Sequence, residues 1–408
     1  MANRIFDRIR AIDTDTHITE PADLWTSRVS TKKWGDSVPN VKNVVGRDVW
    51  FIRDKPCGSP GYTTMAGFNG SVPDAPKGYD DIPASSFDAH ERLKHMDAEG
   101  IYAQVLYPNV GGFGSGGFLQ LKEPELMLEC VRAYNDFLIE WCSADPSRLV
   151  PVAAMPFWDV DECVKETERA VGMGHKAVLA CSQPEAWGEP VLASKHWDPF
   201  WAVAQEAGIP ISFHIGAGDV SGLFNDSDEL GIRANFARVS SMIFMQNVTC
   251  LADLIFGGVC HRFPELKLVS VESGVGWIPS YLESADWQFV NSETRREHPE
   301  YDLLPSEYFR RQIYGCFWFE SDGLKPALEQ FPDNCLWETD FPHPTCQHPG
   351  LEGGLTERPA DYADRVFADV PECLVQMRRF HAGGNAALHG HVAAQKVRRL
   401  LKDPRCVA

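Results

Sequence analysis

The sequence predicts an α/β fold of the (β/α)8, TIM-like barrel class, with an insertion after the first strand and extra helices at the C-terminus. Short apolar segments typical of buried strands alternate with helical patterns, and there are eight of them, the number that closes such a barrel. The chain has 408 residues, 44% hydrophobic and 23% charged, which suits one packed domain over residues 1–408. An open, doubly wound sheet is the alternative.

The elements follow one another in a regular order. The first strand is predicted from Ala11 to His17, and a helix with Leu93 and Met96 at helical spacing ends at Gly100. The other strands are predicted at 103–108, 149–155, 176–181, 210–215, 267–272, 312–318 and 335–340. The helices are predicted at 89–99, 124–143, 160–173, 197–207, 235–256, 277–290 and 323–330.

Two segments do not fit this alternation. Residues 23–86 are rich in Pro, Gly, Asn and aromatic residues, and so long an irregular stretch is usually functional or carries small strands. We expect it to fold over the barrel mouth, with a hairpin around 49–52, although a subunit contact is the alternative. Residues 356–408 are expected to pack on the barrel as helices at 371–381 and 383–401.

Charge and cysteine usage exclude several classes of protein. The formal net charge of −19 would repel a phosphate backbone, so nucleic acid is not an expected partner. The twelve cysteines include no C-x-x-C pair and favour a reducing cytoplasm. There is no apolar leader and no run approaching 18 uncharged apolar residues, so neither secretion nor membrane spanning is predicted.

Polar residues at predicted strand ends form a candidate metal site, because the carboxyl ends of barrel strands carry the active site. The first strand ends with Asp15 and His17, the fifth with His214, and the eighth with Asp340. Two imidazoles and two carboxylates suit one divalent ion, zinc first, with manganese, iron or cobalt possible. Such an ion activates water or polarises a substrate oxygen. A core histidine with an ordinary hydrogen-bond partner is the alternative for His214.

Other residues near these strand ends have less specific roles. We expect Asp13 to be too far along the strand to share the ion, and to be paired in the interior. Glu20 is either a partner of His17 or a charge on the rim. The G-x-G-x-x-G match at 112–117 is not followed at once by a helix, so a mouth loop fits better than dinucleotide binding. The tryptophans at 158, 187, 318 and 337 suit either a pocket for a flat substrate or simple packing.

Several motifs together carry a family resemblance. They are Asp-x-Asp-x-His-x-x-Glu-Pro at 13–21, His-Met-Asp-Ala-Glu-Gly-Ile at 95–101, Phe-His-Ile-Gly at 213–216, Arg-Phe-Pro-Glu-Leu-Lys at 262–267, Glu-Ser-Gly-Val-Gly-Trp-Ile-Pro at 272–279 and Thr-Asp-Phe-Pro-His at 339–343. In this order the chain resembles the amidohydrolase-2 branch of the amidohydrolase superfamily, the group of the aminocarboxymuconate semialdehyde decarboxylases. The resemblance implies a distorted barrel with one metal held by Asp15, His17, His214 and Asp340, and a homodimer.

The chain departs from this family's pattern in two places. The usual first pair is His-x-His, whereas Asp15 and His17 form Asp-x-His, which adds negative charge and favours a harder cation. Decarboxylases of the family place a His at the end of strand six, whereas this chain has Glu272. Glu272 and His343 are candidate proton carriers, and Asp340 is a candidate base toward a metal-bound water. The alternatives are that Glu272 caps the helix beginning near Gly276 and that His343 only fixes its loop.

The expected function is that of a metal-dependent hydrolase. It would act on a small organic substrate, possibly aromatic or carboxylated, through a metal-activated water. The first alternative is a non-oxidative, metal-dependent decarboxylase, for which Glu272 would need a raised pKa to deliver a proton to carbon. The second alternative is a barrel that has lost catalysis and serves in binding or assembly.

Overall fold

Eight parallel strands form one sheet in the computed structural model, which describes residues 6, 10–110, 121–219, 223, 229–348 and 358–366. In chain order, the strands of the protein are β1 Ala11–His17, β2 Asn40–Val44, β3 Arg47–Ile52, β4 Lys55–Gly58, β5 Ile101–Tyr107, β6 Leu149–Ala154, β7 Ala177–Ala180, β8 Ile211–His214, β9 Leu268–Val271, β10 Ile313–Phe317 and β11 Cys335–Trp337. The large sheet has the order β1-β5-β6-β7-β8-β9-β10-β11, and β2, β3 and β4 form a separate antiparallel sheet.

The first and last strands of the large sheet meet and close the barrel. A parallel bridge joins Thr16 to Phe341, the Asp340 amide donates to the Asp15 carbonyl at 3.0 Å, and the His17 amide donates to the Phe341 carbonyl at 2.6 Å. We call these contacts between β1 and residues 340–341 the closing seam. The predicted (β/α)8 barrel is therefore confirmed, and each predicted strand corresponds to an observed one.

Helices flank the strands. They are α1 Thr31–Trp34, α2 Pro60–Thr63, α3 Ala89–Glu99, α4 Pro124–Cys142, α5 Val160–Met173, α6 Asp198–Ala207, α7 Gly231–Ile243, α8 Asn247–Phe256, α9 Val259–Arg262, α10 Ile278–Asn291, α11 Pro305–Gln312, α12 Leu324–Gln330 and α13 Pro359–Val366. Local signals fix the ends of α3: the Asp88 carboxylate accepts from the amides of His90 and Glu91, and Gly100 follows with a φ of 77°.

The helix predictions differ from the structure in two ways. The helix predicted at 235–256 is divided by a turn at 244–246, and the short helices α1, α2, α9, α11 and α13 were not predicted. α11 has only eight residues, with Pro305 in its first turn and the Glu307 carboxylate accepting from the Leu304 amide. So short a helix shows too little periodicity to be recognised against an irregular connection.

The core has two parts. Inside the barrel, Tyr107, Val152, Leu179, Val271 and Cys316 come from five different strands and belong to one small buried cluster. Only side chains that point toward the barrel axis can meet in this way. A much larger buried cluster fills the layer between the outer faces of the strands and the helices.

In the part of the chain that the structure describes, one helical stretch is long and apolar enough to cross a membrane by length and composition alone. It is Gly231–Phe256, with a mean hydropathy of 1.4 in its most apolar window, 33% of which is buried inside the protein. Its second half, α8, buries Cys250, Leu251 and Leu254. By itself such a stretch is weak evidence for a membrane span, because core helices pass the same test.

The segment at 23–86 carries small strands, as expected, but three of them instead of a hairpin. It is tied to the chain after β11, because the amides of Met65 and Ala66 both donate to the Pro342 carbonyl. The predicted helices at 371–381 and 383–401, and the glycine-rich loop at 112–117, lie outside the described residues.

Candidate metal centre

All the site residues predicted from the sequence lie together at the carboxyl end of the barrel. They are Asp15, His17, His214, Glu272, Asp340 and His343. The first three and Asp340 are almost completely buried. The pairing of β1 with β5 is irregular near the site. Asp13 pairs with Gln104 and Thr16 pairs with Leu106, so β1 has one residue more than β5 between these two pairs.

Side-chain nitrogen and oxygen atoms of the four predicted ligands lie close together. His17 Nε2 lies 3.1 Å from His214 Nε2, 3.5 Å from Asp15 Oδ1 and 3.7 Å from Asp340 Oδ1. His214 Nε2 lies 3.3 Å from Asp15 Oδ2. Asp15, His17 and His214 offer ligand atoms that all lie within 4.8 Å of one another, and Asp340 belongs to two overlapping groups of this kind, one with His17 and one with Asp15.

Backbone carbonyls fix which ring nitrogen of each histidine faces the centre. His17 Nδ1 donates to the Pro108 carbonyl at 3.0 Å, and His214 Nδ1 donates to the Ile215 carbonyl at 2.7 Å. A carbonyl oxygen can only accept, so each Nδ1 carries a proton. The Nε2 atoms are therefore the nitrogens available to a metal, an arrangement common for metal-binding histidines.

The carboxylate of Asp15 supports the fit of these residues to a cation. Neither of its oxygens has a hydrogen-bond donor among the described residues, although the side chain is completely buried. A buried carboxylate needs a positive partner, which a bound cation or, without one, the imidazolium of His214 at 3.3 Å supplies. Asp15, His17, His214 and Asp340 could therefore hold one divalent ion.

The electrostatics of the candidate site are unusual. Burial lowers the pKa of His214, but the charge and close contact of Asp15, the charge of Glu272 and the Ile215 carbonyl together outweigh burial and raise the pKa to about 9. Burial, reinforced by the neighbouring imidazoles, lowers the pKa of His17. Burial and the charge of Asp15 raise the pKa of Asp340 well above its ordinary value. The cluster thus holds protons that a bound cation would displace.

Glu272 lies beside the ligand set and does not cap a helix. Its Oε2 is 3.6 Å from His214 Nδ1, and carboxyl oxygens of Asp15, Glu272 and Asp340 lie within 4.8 Å of one another. Burial and the charge of Asp340 raise its pKa well above the ordinary value. The capping alternative is wrong, because the amides of Val275 and Gly276 donate to Glu320 instead.

Two carboxylates that follow β9 and β11 have a strained backbone. Glu272 has a φ of 52° and Asp340 a φ of 57°, in the left-handed region that residues with a side chain seldom adopt. Such conformations cost about 1–3 kcal/mol each and are concentrated at functional sites. Turning the chain in this way directs both carboxyl groups to the same point.

Glu338 is a further buried acid that the sequence analysis left without a role. Its side chain is completely buried, Oε1 has no hydrogen-bond partner among the described residues, and Oε2 accepts from the Glu272 amide at 3.4 Å. Burial and the charges of Asp15 and Glu272 raise its pKa well above the ordinary value. The sequence signal that could have identified Glu338 is its position two residues before Asp340, on the same side of the predicted strand at 335–340.

His343 links Asp340 to a residue after β5. Its Nδ1 lies 2.7 Å from Asp340 Oδ1, and its Nε2 lies 2.5 Å from Asn109 Oδ1. The ring stacks on His17 with the centroids 3.9 Å apart. Thr345 supports the same carboxylate, because its Oγ1 donates to Asp340 Oδ2 at 2.7 Å. His343 thus contacts the ligand set from the outer side.

Asp13 and Glu20 form hydrogen bonds with residues around the site. Asp13 accepts from the amide and hydroxyl of Thr339 at 2.8 and 2.6 Å and from Gln104 Nε2 at 3.1 Å, so it is paired in the interior as expected. Glu20 is completely buried, which excludes a charge on the rim, and burial raises its pKa to about 8. Its Oε1 accepts from the amides of Asn109 and Val110.

A cavity of about 260 Å³ opens beside His343. Its described lining includes Met65, Phe68 and Val72 from the 23–86 segment, and Phe236 from α7. None of the tryptophans considered in the sequence analysis is among the lining residues. The lining side chains named above are apolar. His343 also lines the cavity, and its imidazole contacts Asp340 of the ligand set.

Sequence relatives of the chain are decarboxylases. The gamma-resorcylate decarboxylase of Polaromonas sp. is 24% identical over 295 residues, which is 70% of this chain and 86% of the relative. The 2-amino-3-carboxymuconate-6-semialdehyde decarboxylase of Dictyostelium discoideum is 21% identical over 348 residues, 82% of each chain.

Solved structures share the fold. An amidohydrolase from Mycobacterium avium subsp. paratuberculosis has a TM-score of 0.68 and 22% identity, covering 90% of this chain and 96% of its own. A dihydroxybenzoic acid decarboxylase from Polaromonas sp., with bound manganese and 2-nitroresorcinol, has a TM-score of 0.56 and 17% identity, covering 97% and 98%.

A family model described as Amidohydrolase matches residues 12–387, which include every residue of the candidate metal centre. This confirms the resemblance that the motifs indicated. The chain belongs to the amidohydrolase family and is a metal-dependent enzyme, a hydrolase or a decarboxylase, of the amidohydrolase superfamily.

Proposed function

We propose that this chain is a metal-dependent, non-oxidative decarboxylase of a small aromatic carboxylic acid. The observation that carries the proposal is that decarboxylases match 70% and 82% of the chain. The sequence analysis ranked hydrolysis first because Glu272 stands where decarboxylases of the family have His. The raised pKa of Glu272 weakens that reason, because a buried, protonated carboxyl can deliver a proton to carbon.

Asp15, His17, His214 and Asp340 would hold one divalent cation. When bound, this cation would act as a Lewis acid toward a carboxylate or hydroxyl oxygen of the substrate. Manganese is our first choice, because two carboxylates suit it and a decarboxylase of similar fold contains it. Zinc, ranked first from the sequence, is the alternative, followed by iron and cobalt.

Proton delivery falls to the acids beside the ligand set. Cleavage of the bond between the ring carbon and the carboxylate releases carbon dioxide and leaves an electron pair on that carbon, which must take up a proton. Glu272 holds a proton in a buried position and faces the ligand set, so we assign this step to its carboxyl group. Asp340 and His343, 2.7 Å apart, form a second route for returning a proton from the cavity.

The cavity supports an aromatic substrate. Its apolar walls, with Phe68 and Phe236 among them, suit a flat ring, and His343 offers a polar contact at the end nearest the ligand set. We further propose a homodimer in a reducing cytoplasm, from the family resemblance and from cysteines that are all free among the described residues.

The test is an isotope experiment on protein loaded with Mn²⁺ or Zn²⁺. Gamma-resorcylate, 5-carboxyvanillate, simple aromatic lactones and amides are each supplied in D2O and, separately, in oxygen-18 water. We expect carbon dioxide release with deuterium at the vacated carbon. Glu272→Gln should abolish this exchange, whereas Glu265→Gln, at an exposed acid, should leave it unchanged.

Other outcomes would contradict the proposal. Oxygen-18 in the product of a lactone or amide, with no carbon dioxide from any acid, would restore the hydrolase. Absence of both reactions, together with less than one metal ion per chain after loading, would favour the non-catalytic barrel.

A further inference from the structure

We propose that Asn109 is a positioning residue that orients His343 and fixes its tautomer, with the proton on Nε2. The inference rests on the proposed function only in its activity readout. Asn109 belongs to none of the motifs that carry the family resemblance. It is not among the described residues that line the cavity.

The orientation of the Asn109 amide is determined by a second contact. Asn109 Nδ2 donates to the Ile18 carbonyl at 3.0 Å, and a carbonyl offers no proton in return. The amide oxygen must therefore be the atom that faces His343, at 2.5 Å from Nε2. Because this oxygen can only accept, Nε2 must carry a proton.

The other ring nitrogen follows from this assignment. A neutral imidazole has one N–H, so when Nε2 is protonated Nδ1 offers its lone pair. Nδ1 lies 2.7 Å from Asp340 Oδ1. The proton on Nε2 is therefore held by Asn109, and Nδ1 is the unprotonated nitrogen, the one nearer Asp340.

Asn109 is itself held firmly. Its amide and that of Val110 donate to Glu20 Oε1 at 2.8 and 2.7 Å, and Glu20 is completely buried. The stacking of His343 on His17, with centroids 3.9 Å apart, fixes the plane of the ring. Stacking alone does not distinguish two orientations of the ring that differ by a 180° flip, whereas the contact with Asn109 does.

The experiment uses the full, metal-free chain labelled with nitrogen-15 at histidine. Long-range proton–nitrogen correlation spectra identify the tautomer of each ring, and His343→Gln identifies the signals of His343 among the 13 histidines. We expect the Nε2–H form in the wild-type protein. In Asn109→Leu we expect the Nδ1–H form to appear, and in Asn109→Asp, which keeps an acceptor, the Nε2–H form to return.

The fold of the variants has its own control. His175 is a buried histidine away from the site, with Nε2 3.1 Å from the Asn135 carbonyl, and its signals should not change in a correctly folded variant. An Nδ1–H form of His343 in the wild-type protein would overturn the proposal. So would an unchanged tautomer in Asn109→Leu with the His175 signals intact.

Activity gives a second readout. If the proposed decarboxylation is correct, Asn109→Leu should lower kcat by about 10–100-fold and change KM by less than about twofold, with recovery in Asn109→Asp. A chain that does not decarboxylate any acid would fail this readout but would still show the tautomer change. The two proposals can therefore fail separately.

Discussion

The affinity of the metal centre should depend on pH through His214. Burial lowers the pKa of His214, but Asp15, Glu272 and the Ile215 carbonyl together raise it to about 9, with Asp15 contributing most. Below that pH the ring is an imidazolium whose Nε2 proton faces Asp15, 3.3 Å away. A cation that binds Nε2 must displace this proton, so its dissociation constant should rise about tenfold for each pH unit below 9. Between pH 8.5 and pH 6.5 the loss is about 100-fold, or about 2.7 kcal/mol.

Competition with a chelating dye for Zn²⁺ at pH 6.5, 7.5 and 8.5 measures this dependence. Calorimetry in two buffers of different ionisation enthalpy counts the protons released. Asp15→Asn should bind more weakly but with a flatter pH dependence, because the charge that protonates His214 is gone. His175→Gln replaces a buried imidazole outside the site and should behave as the wild type. Equal wild-type dissociation constants at pH 6.5 and 8.5 would refute the reasoning.

Three further predictions concern stability. Asp13→Ala leaves three buried donors without an acceptor, at about 1–3 kcal/mol each, and should lower the thermal midpoint strongly in metal-free protein, whereas Asp13→Asn should lower it less. Burial raises the pKa of Glu20 to about 8, so this residue's contribution to stability is lost as pH rises from 4.5 through 8. Glu20→Gln should therefore gain stability relative to the wild type between pH 5 and 8.5 in thermal scans, and a constant difference would argue against the raised pKa. Removal of the exposed Arg28–Glu140 pair by Glu140→Gln should change the unfolding free energy by less than about 1 kcal/mol in urea titrations.

The sequence predicted the barrel because its signal is repeated. Eight buried strands alternate with helical patterns, and an error of a few residues at any one boundary does not change the count. Short elements such as α11 and β4 lacked this redundancy. The ends of the strands were also informative, since a polar residue there points to the one place where all the strands meet.

The geometry of the site was less predictable than its composition. The left-handed backbone of Glu272 and Asp340 depends on contacts with distant strands, such as the bond from the Asp340 amide to the Asp15 carbonyl. No local pattern of residues encodes it. Glu338 and Asn109 were missed for a similar reason, because the partners that give them a role are remote in sequence, 66 residues away for Glu338 and 234 for Asn109.

The closing seam has a consequence for biosynthesis. Asp15 and His17 lie near the start of the chain, and Asp340 follows them by more than three hundred residues. The hydrogen bonds of the closing seam join these two parts of the chain. A nascent chain can build successive strand and helix units as it leaves the ribosome, yet β1 has no partner on its second edge until residues 335–341 have emerged. Uptake of the ion would then coincide with completion of the barrel, and a chain released early would have neither.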